Sequence, residues 1–355
     1  MREIQKTLQA VLDKTVATDK VFGTSFAIEQ GDLIWSGASG DLSKDQSYFI
    51  ASTTKLFTTA MILQLQARGD LALEDRVSNY LDESVLLGLH LFKGQDYSRE
   101  LTIKELLAHT SGLPDYFQGK GDHGKSLEDE ITQGYDQSWT FDESIERTKK
   151  MRPLFAPGTK NKAHYSDANF QLLGRIIEVI THRTFCENCI DLITGPLGLE
   201  KTYLYQDPSD KRPKRLYYKE KELIIPKAMV SFGADGAVVS TSADMLVFIE
   251  GFFTGRLFPL EYLSSLQEWN RIFYPMRSGI GIHLFRLPWL VNPAGSIPYF
   301  IGHSGLSGAL AFYSPKENLY IAGTVNQVAH PDISFKTMIK LAQVLLKGKN
   351  KSKGA

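Results

Sequence analysis

The sequence predicts a mixed α/β protein of the α+β type, built on one antiparallel sheet that draws strands from both ends of the chain. Strand-like runs lie near both ends of the 355 residues, whereas helical patterns dominate the middle. Amphipathic helical patterns also occur at the two termini. The economical arrangement is a sheet flanked by the terminal helices, with a helical lobe inserted between its two parts.

The N-terminal part predicts a helix followed by a hairpin. Residues 1–20 place charged side chains at helical spacing around Leu8 and Leu12. Residues 21–29 and 33–36 are strand-like runs on either side of a Gly-Asp turn, which is typical of a hairpin.

The middle of the chain predicts helices. Apolar residues recur at helical spacing from Thr53 to Arg68, and Gly69 follows as a stop signal. The segment 102–107 begins with a capping-box pattern, and 170–181 is amphipathic.

Strand patterns return beyond Tyr203. Glycines and alternating apolar residues occur at 233–240 and 279–285. A hairpin is predicted for 309–313 and 319–325, which flank a Pro-Lys-Glu-Asn turn, and an amphipathic helix is predicted for 332–346.

These elements predict a single catalytic domain over residues 1–346. Its α/β lobe takes about 1–52 and 203–346, its helical lobe takes about 53–202, and 347–355 forms a basic flexible tail. We expect the active site in the cleft between the lobes, where pockets tend to form.

Composition narrows the function classes. Apolar content of 43% is ordinary for a globular protein, and forty acidic residues balance forty basic ones, so no global field favours nucleic acid or an anionic membrane. No run reaches the length of a membrane span or the core of a secretory signal. We therefore predict a cytoplasmic chain as the sequence stands, or a periplasmic or secreted one if an export signal was removed.

Ser52 and Lys55 form the only Ser-x-x-Lys of the chain, at the start of the helix that follows. Side chains at i and i+3 share one helix face, and a helix N-terminus stabilises an alkoxide or an oxyanion. A desolvated lysine in this position can act as a base or hold a neighbouring base ionised. The alternative is that Ser52 simply caps the helix.

Two further motifs carry candidate groups. Tyr165 precedes a predicted helix and could take the proton of a serine if a lysine lies nearby; otherwise it is a buried, hydrogen-bonded tyrosine. His303 lies in a Gly-His-Ser-Gly segment before a strand, where it could supply a donor while the strand backbone completes an oxyanion hole with Ser52. The alternative is a glycine-rich turn with an incidental histidine.

Three other patterns are interpreted as structural. Residues 119–126 fit the P-loop spacing, but no buried strand precedes them, so we predict a polar loop. Cys186 and Cys189 lack a second pair and a thioredoxin-like context, which favours two reduced thiols. The chain has neither a Gly-x-Ser-x-Gly nor a His-Glu-x-x-His motif, so neither an α/β-hydrolase nor a zinc hydrolase is supported, and we predict no metal or organic cofactor.

The order of these motifs resembles the penicillin-recognising serine hydrolases, the superfamily of class C beta-lactamases, D-alanyl-D-alanine carboxypeptidases and serine esterases. The similar segments are Phe49-Ile50-Ala51-Ser52-Thr53-Thr54-Lys55, 69–75, 101–114 with its His-Thr-Ser-Gly-Leu-Pro, Tyr165-Ser166-Asp167, 236–245 and His303-Ser304-Gly305. The resemblance runs from about Phe49 to Tyr313. It implies a beta-lactamase/transpeptidase-like fold.

The resemblance also implies a role for each matched residue. Ser52 would attack a carbonyl while Lys55 and Tyr165 share the proton traffic, and His303 would orient Tyr165 or a substrate carboxylate. The backbone N–H groups of Ser52 and Leu306 would hold the oxyanion. The remaining substrate-binding residues implied are Asp167, Ser304 and Gly305.

Two departures from the family pattern shape the expected activity. Asp167 stands where relatives have asparagine, so it would stabilise protonated Lys55 and lose an amide donor. His303 stands where lactamases have lysine, which weakens the positive charge that a lactam carboxylate uses.

We therefore predict a serine hydrolase that cleaves a small amide or ester through an acyl-Ser52 intermediate. A D-amino-acid peptide or a simple ester is favoured over a beta-lactam, and the partner is a small-molecule or short-peptide substrate. The alternative from another class is a penicillin-binding or ligand-sensing protein that does not turn over.

Overall fold

A computed structural model describes residues 2–121 and 124–352 of the chain. The strands of these residues are β1 (Gly23–Gln30), β2 (Leu33–Gly40), β3 (Tyr48–Phe49), β4 (Leu91–Phe92), β5 (Gln95–Asp96), β6 (Tyr203–Leu204), β7 (Leu216–Tyr218), β8 (Lys221–Leu223), β9 (Val238–Ser240), β10 (Asn270–Arg271), β11 (Met276–Ser278), β12 (His283–Phe285), β13 (Phe300–Ser304), β14 (Ala309–Ser314) and β15 (Leu319–Thr324).

The α-helices of the same residues alternate with these strands. They are α1 (Arg2–Val16), α2 (Lys55–Arg68), α3 (Glu83–Leu86), α4 (Ile103–Leu107), α5 (Leu127–Thr132), α6 (Phe141–Lys150), α7 (Asp167–Thr181), α8 (Phe185–Cys189), α9 (Gly195–Leu197), α10 (Pro226–Ser231), α11 (Ser242–Phe253), α12 (Tyr262–Ser265) and α13 (Asp332–Ser352).

The main sheet joins the two ends of the chain. Within the described ranges it has eight antiparallel strands in the order β10-β11-β12-β13-β14-β15-β1-β2. The N-terminal strand β1 pairs with the C-terminal strand β15 from Ser25↔Thr324 to Gln30↔Leu319. The predicted antiparallel sheet made from both termini is confirmed.

Alternation along the strands buries both faces of the sheet. On β1, Phe26 and Ile28 pack with Leu8 of α1 and Met338 of α13, whereas Ala27 faces the core shared with α2, α7 and α11. Successive side chains of a strand point to opposite faces, so one strand serves two cores. The terminal helices thus cover one face of the sheet, and the helical lobe packs towards the other.

Several predicted boundaries hold. The capping box of α4 is present, with Thr102 and Glu105 exchanging side-chain and backbone hydrogen bonds. Gly69 ends α2 with φ 80°, a left-handed conformation that suits glycine. The helix predicted from Phe170 begins three residues earlier, at Asp167, and the polar residues Asp167 and Asn169 of its first turn are buried.

Other elements differ from the predictions. In the segment 233–240, Gly233–Asp235 form a 3₁₀ turn and only β9 is a strand; it joins a separate three-stranded sheet, in the order β3-β9-β6, rather than the main one. The helical lobe also contains the β4-β5 hairpin. The last helix extends past Leu346 to Ser352, so the predicted basic tail begins within a helix, and its residues 353–355 lie outside the described residues.

The patterns interpreted as structural can also be located. Ser126 caps α5 through a capping box with Asp129, so the end of the P-loop-like segment starts a short helix. Two residues of that segment, 122 and 123, lie outside the described ones. Cys186 and Cys189 lie in α8 as free thiols. None of the helices in the described part of the chain combines the length and the apolar character needed to cross a bilayer.

Candidate active site

Ser52 lies on a tight turn between β3 and α2. Residues Ala51–Thr54 form a 3₁₀ segment, and Ala51 adopts φ 46°, a left-handed conformation that costs free energy for a non-glycine residue. The turn is tied down because the N–H of Ile50 donates to the carbonyl of Val238 over 3.0 Å. Ser52 occupies neither cap position, since the cap residues are Ile50 and Thr54 and neither caps through its side chain. The helix-cap interpretation of Ser52 is therefore wrong.

Lys55 is fully buried one turn beyond Ser52. Its Nζ lies 3.3 Å from Ser52 Oγ, 2.8 Å from the carbonyl oxygen of Asp235 and 2.6 Å from Oδ1 of Asp167. Burial acts to lower the pKa of Lys55, but the charge of Asp167 and its hydrogen bond to Nζ act in the opposite direction, and the pKa lies above its ordinary value. The resting lysine is therefore an ammonium ion that donates hydrogen bonds.

Tyr165 brings a buried phenol to the same place. It ends the loop before α7, and Lys55 Nζ lies 5.1 Å from the centre of its ring. The ring stacks on His109 with centroids 4.6 Å apart. Burial raises the pKa of the Tyr165 phenol above its ordinary value, although contacts with Lys55 and Ser52 act to lower it. The phenol is neutral at rest, next to a cation that would stabilise its anion.

The loop that carries Tyr165 is held by its neighbour Ser166. The backbone N–H of Ser166 donates to Nδ1 of His109 over 3.2 Å, and its hydroxyl donates to the carbonyl of Pro114 over 2.8 Å. Because Nδ1 of His109 accepts, its neutral ring carries the proton on Nε2. His109 thus fixes the loop through its hydrogen bond with Ser166, and its ring packs against the ring of Tyr165.

His303 lies at the end of β13 and differs from its predicted role as a donor. Its Nδ1 donates to the carbonyl of Ser304 over 2.8 Å, so the neutral ring leaves Nε2 as an acceptor. The ring stacks on His283 at 4.1 Å and lies 6.4 Å from the ring of Tyr165. Burial, then the neighbouring His283 and Lys55, lower the pKa of His303 well below its usual value. The ring therefore brings no positive charge to this edge of the site.

Gly305 joins the end of β13 to the nucleophile turn. A β-carbon at this position would lie 2.4 Å from the carbonyl oxygen of Ile50 and 3.1 Å from the backbone nitrogen of Ser52. Two protein segments, the end of β13 and the nucleophile turn, thus approach each other closely at Gly305. This contact sets the next residue, Leu306, beside Ser52.

The backbone N–H groups of Ser52 and Leu306 are free at this junction. In the described part of the chain, neither donates to a protein acceptor. Two unpaired donors beside a serine hydroxyl match the requirements of an oxyanion hole.

Three buried carboxyl groups surround the single ammonium of Lys55. Besides Asp167, they are Asp115 and Asp235, and sequence reasoning did not identify these two. Oδ2 of Asp235 accepts from the hydroxyl of Tyr116 over 2.8 Å and from Nε2 of Gln171 over 3.0 Å. Burial, followed by the charge of Asp167, raises the pKa of both Asp115 and Asp235 well above the usual range. This shift favours the neutral forms of Asp115 and Asp235, whereas the side chain of Asp167 forms the ion pair with the ammonium of Lys55 at 2.6 Å.

Sequence offered weak signals for the missed residues. Asp115 directly follows the His-Thr-Ser-Gly-Leu-Pro segment that contains His109. Asp235 lies in a Gly-Ala-Asp-Gly run, a pattern that by itself indicates only a turn. His283 lies in a short apolar strand, where a histidine is ordinarily a core residue. None of these positions can be linked to Ser52 without the fold.

Three cavities meet at Tyr165 and Gln118. The first, which we call the small cavity, has a volume of about 80 Å³ and reaches Ser52, Asp167 and Leu306 along an apolar wall. Most of that wall consists of Phe117, Ile131, Leu216, Leu223, Ile225, Met229 and Phe232. The second, the histidine cavity, has about 520 Å³ and is bordered by His283, His303 and Ser304 as well as Ser52.

The third cavity, which we call the cationic cleft, is the largest of these, at about 850 Å³. It reaches Tyr165 but not Ser52. Its walls are the loop after Pro114, the end of α6 with the residues that follow, and Phe273. The predicted site residues Ser52, Lys55, Tyr165, Asp167, His303, Ser304, Gly305 and Leu306 thus converge at one junction of cavities between the lobes.

The histidines and carboxyl groups of the site are not arranged around a metal position. Within residues 2–121 and 124–352, no group of three or more histidine, cysteine, aspartate or glutamate side chains has the geometry to hold a metal ion. His283 and His303 instead stack face to face, and burial, then the charge of Lys55, lowers the pKa of His283 to about 3.

Comparison with known proteins identifies this architecture. The family model described as Beta-lactamase matches residues 8–342. PbpX of Bacillus subtilis (strain 168) is 22% identical over 325 residues, covering 86% of this chain and 74% of its own. Esterase EstB of Burkholderia gladioli is 30% identical over 206 residues, which are 54% of this chain and only about half, 49%, of the esterase.

Solved structures extend the similarity to the fold. A D-stereospecific amidohydrolase from Streptomyces sp. superposes with a TM-score of 0.75 at 27% identity, covering 92% of this chain and 95% of that one. The mixed α/β architecture with its large antiparallel sheet is therefore the beta-lactamase/transpeptidase-like fold, as predicted.

Proposed function

This chain belongs to the beta-lactamase family of serine hydrolases, and we propose that it cleaves a small amide or ester through an acyl intermediate on Ser52. One observation carries the proposal: the hydroxyl of Ser52 lies 3.3 Å from the buried ammonium of Lys55, beside Tyr165, and borders both the small cavity and the histidine cavity. A nucleophile, a proton-transfer partner and a route for substrate are thus present together.

The proton traffic involves Lys55 and Tyr165 as a pair. Both groups are protonated at rest, so the reactive form of the site is the one in which the Lys55–Tyr165 pair has lost one proton. That pair takes the proton of Ser52 as Oγ bonds to the substrate carbonyl carbon. When the C–N or C–O bond of the tetrahedral intermediate breaks, Tyr165 returns the proton to the departing nitrogen or oxygen. Lys55 remains the cation that stabilises negative charge on the phenol and on Oγ.

Deacylation reverses these steps with water as the nucleophile. Tyr165 takes a proton from the water as its oxygen bonds to the acyl carbon, and the Oγ of Ser52 leaves with a proton returned by the pair. The backbone N–H groups of Ser52 and Leu306 bind the oxyanion in both half-reactions. The acid product then leaves the site.

Substrate-binding roles follow from the same positions. Ser304 and Gly305 form the edge along which an extended substrate would lie, and Asp167 lies where it would accept a hydrogen bond from the acyl part of the substrate. Because His303 is buried and neutral at this edge, a carboxylate next to the scissile bond gains little. This favours a D-amino-acid amide or peptide, or a simple ester, over a beta-lactam.

The test compares acylation and turnover in matched variants. Intact mass would be recorded after mixing the chain with p-nitrophenyl acetate or a fluorescent penicillin, together with steady-state release of p-nitrophenol. Ser52→Ala removes the nucleophile. Thr53→Val removes the neighbouring buried hydroxyl, which has no hydrogen-bond partner in the described residues.

We expect an adduct on the Ser52 peptide and sustained release in the native chain and in Thr53→Val, and neither in Ser52→Ala. A stable adduct with a single burst would instead support the non-turnover sensor. The absence of both adduct and release in the native chain would overturn the acyl-enzyme proposal.

A further inference from the structure

Four positively charged side chains line the cationic cleft, and none of them takes part in the proposed mechanism. Arg147 and Lys150 on the last turns of α6, and Arg152 just after it, line this cleft. Lys120 lines it from the loop on the opposite side. None of these four side chains has a carboxylate partner within 4.0 Å among the residues that the structure describes.

Helix stability alone does not explain this cluster. Cations near a helix C-terminus do favour the helix dipole, and Lys149 on the same turn serves that purpose. Lys149 lies outside the cleft wall, pairs with Glu146 at 3.0 Å and donates to the carbonyl of Ser84. Arg152, in contrast, lies beyond the helix. The unpaired cations are thus the ones that face the cleft.

The only acidic residue described in the wall of the cleft offsets little of this charge. Asp115 is buried, and burial together with the carboxylate of Asp167 raises its pKa, which favours its neutral form. The remaining wall is apolar or uncharged, with Met151, Leu154 and Phe273 among its residues. Focused positive charge in a cleft raises the local concentration of anions.

The position of the cleft indicates which part of a substrate it receives. Under the proposed function, Tyr165 returns a proton to the departing atom, so the leaving group lies beside Tyr165. The cationic cleft reaches Tyr165 but not Ser52, whereas the small cavity reaches Ser52 and suits the acyl part. A volume of about 850 Å³ is within the range of small-molecule sites.

We propose that the cationic cleft binds an anionic leaving group, so that the substrate is an ester or amide whose alcohol or amine portion carries a carboxylate or phosphate a few bonds from the scissile bond. This inference rests on the proposed function. It specifies the substrate class further, since the positive charge of Arg147, Lys150 and Arg152 lies away from the scissile bond. These cations are also separate from His303, which is neutral and lies beside the scissile bond.

The test uses acetyl esters of linear alcohols that differ only at the far end of the alkyl chain. The ends are phosphate, carboxylate, a neutral amide and trimethylammonium, with linkers of increasing length so that the charge does not alter the reactivity of the ester. Acetate release gives kcat/KM for each, at low and high ionic strength. The triple variant Arg147→Gln/Lys150→Gln/Arg152→Gln removes three of the four cleft cations and leaves Lys120 in place. Lys149→Gln is the control from the same turn.

We expect kcat/KM for the phosphate and carboxylate esters to exceed that of the neutral ester by on the order of 10-fold at low salt. High salt should reduce this preference, since exposed charges are screened. The triple variant should lose it while keeping its activity on the neutral ester, and Lys149→Gln should keep it. Equal kcat/KM for anionic and neutral esters in the native chain would overturn the subsite and leave the proposed function standing.

Binding to Ser52→Ala separates the two proposals, because it requires no chemistry. Calorimetry with the phosphate-bearing ester and its neutral counterpart reports the subsite even if the native chain turns over no ester. Tighter binding of the phosphate ester that disappears in the Ser52→Ala chain with the three glutamines supports the cleft assignment. Equal binding of both esters contradicts it, whatever the activity assays show.

Discussion

The ammonium nitrogen of Lys55 lies 2.6 Å from the carboxylate oxygen of Asp167, and both side chains are buried. The resemblance of Tyr165-Ser166-Asp167 to a family motif implies an asparagine at the position that Asp167 occupies in this chain. A buried pair of this kind fixes the charge state of the lysine, because breaking it would leave an uncompensated buried charge. The fixed positive charge of Lys55 in turn acts to lower the pKa of both Tyr165 and His303.

The pair predicts a pH dependence of acylation. The carboxylate of Asp167 raises the pKa of both Lys55 and Tyr165, and the reactive pair must lose one proton. Acylation should therefore accelerate as the pH rises through the alkaline range. In Asp167→Asn this increase should move to lower pH by roughly one to three units, since a nearby opposite charge shifts a pKa by that amount.

The measurement is kcat/KM for p-nitrophenyl acetate across neutral and alkaline pH, corrected for spontaneous hydrolysis. Asp210→Asn, which removes a carboxylate paired with Arg212 away from the site, is the control. A profile for Asp167→Asn that coincides with that of the native chain would show that Asp167 does not set the protonation of the pair.

We predict that the oxyanion hole requires glycine at position 305, because a side chain there would separate the two segments that form it. Gly305→Ala places a β-carbon 2.4 Å from the carbonyl oxygen of Ile50, so the end of β13 must move away from the nucleophile turn. We expect kcat to fall on the order of 100-fold, as when one oxyanion donor is lost. Gly31→Ala is the control, since Gly31 has φ 57° but nothing within 4 Å of its would-be β-carbon.

Thermal unfolding of both glycine variants completes this experiment. Gly31→Ala should lose about 1 kcal/mol through backbone strain and keep its activity. A Gly305→Ala chain that is folded and fully active would contradict the proposed oxyanion hole.

The small cavity predicts a preference for short acyl groups. Each methylene that enters its apolar wall should gain about 0.8 kcal/mol, roughly 4-fold in kcat/KM, until the volume of about 80 Å³ is filled. Longer acyl chains should then react more slowly. Met229→Ala shortens a side chain of the wall and so enlarges the cavity, which should move the optimal acyl-chain length to longer p-nitrophenyl esters.

The acyl-chain series from acetate upwards would be measured on the native chain and on Met229→Ala, with Met61→Ala as a control. Met61 is also buried but lies in the core around α2 rather than in the cavity wall. An unchanged optimum in Met229→Ala would place the acyl group elsewhere.

Asp235 predicts a pH-dependent cost in stability. Its folded pKa lies well above its unfolded value, mainly because of burial, so the folded state holds a proton that the unfolded state releases. Stability must then fall as the pH rises from the unfolded pKa of about 3.9 towards the folded one, by up to roughly 1.4 kcal/mol per unit. Asp235→Asn cannot lose a proton and should gain stability relative to the native chain over that range.

Urea unfolding at several pH values measures this difference. Asp210→Asn should show the opposite sign, because the bonds of Asp210 to Arg212 lower its pKa to about 2 and its contribution to stability is lost as the pH falls. A free-energy difference between Asp235→Asn and the native chain that does not change with pH would mean that Asp235 is ionised in the folded state.

The sequence by itself determined the sheet built from both termini, the helix after Ser52 and the set of candidate catalytic groups. Hydrophobic periodicity and turn residues are local signals, and Ser52 with Lys55 are only three positions apart, so their proximity follows from helix geometry. The order of the motifs from Phe49 to Tyr313 indicated the family.

Tertiary structure alone decided the electrostatics of the site and the shape of its cavities. Asp115 and Asp235 are far from Ser52 in sequence, and only the fold buries them around Lys55, where desolvation raises their pKa values. The tautomer of His303 and the approach of Gly305 to Ile50 depend on neighbours from other segments. Burial and charge pairing act through space between distant segments, so no local pattern of residues encodes them.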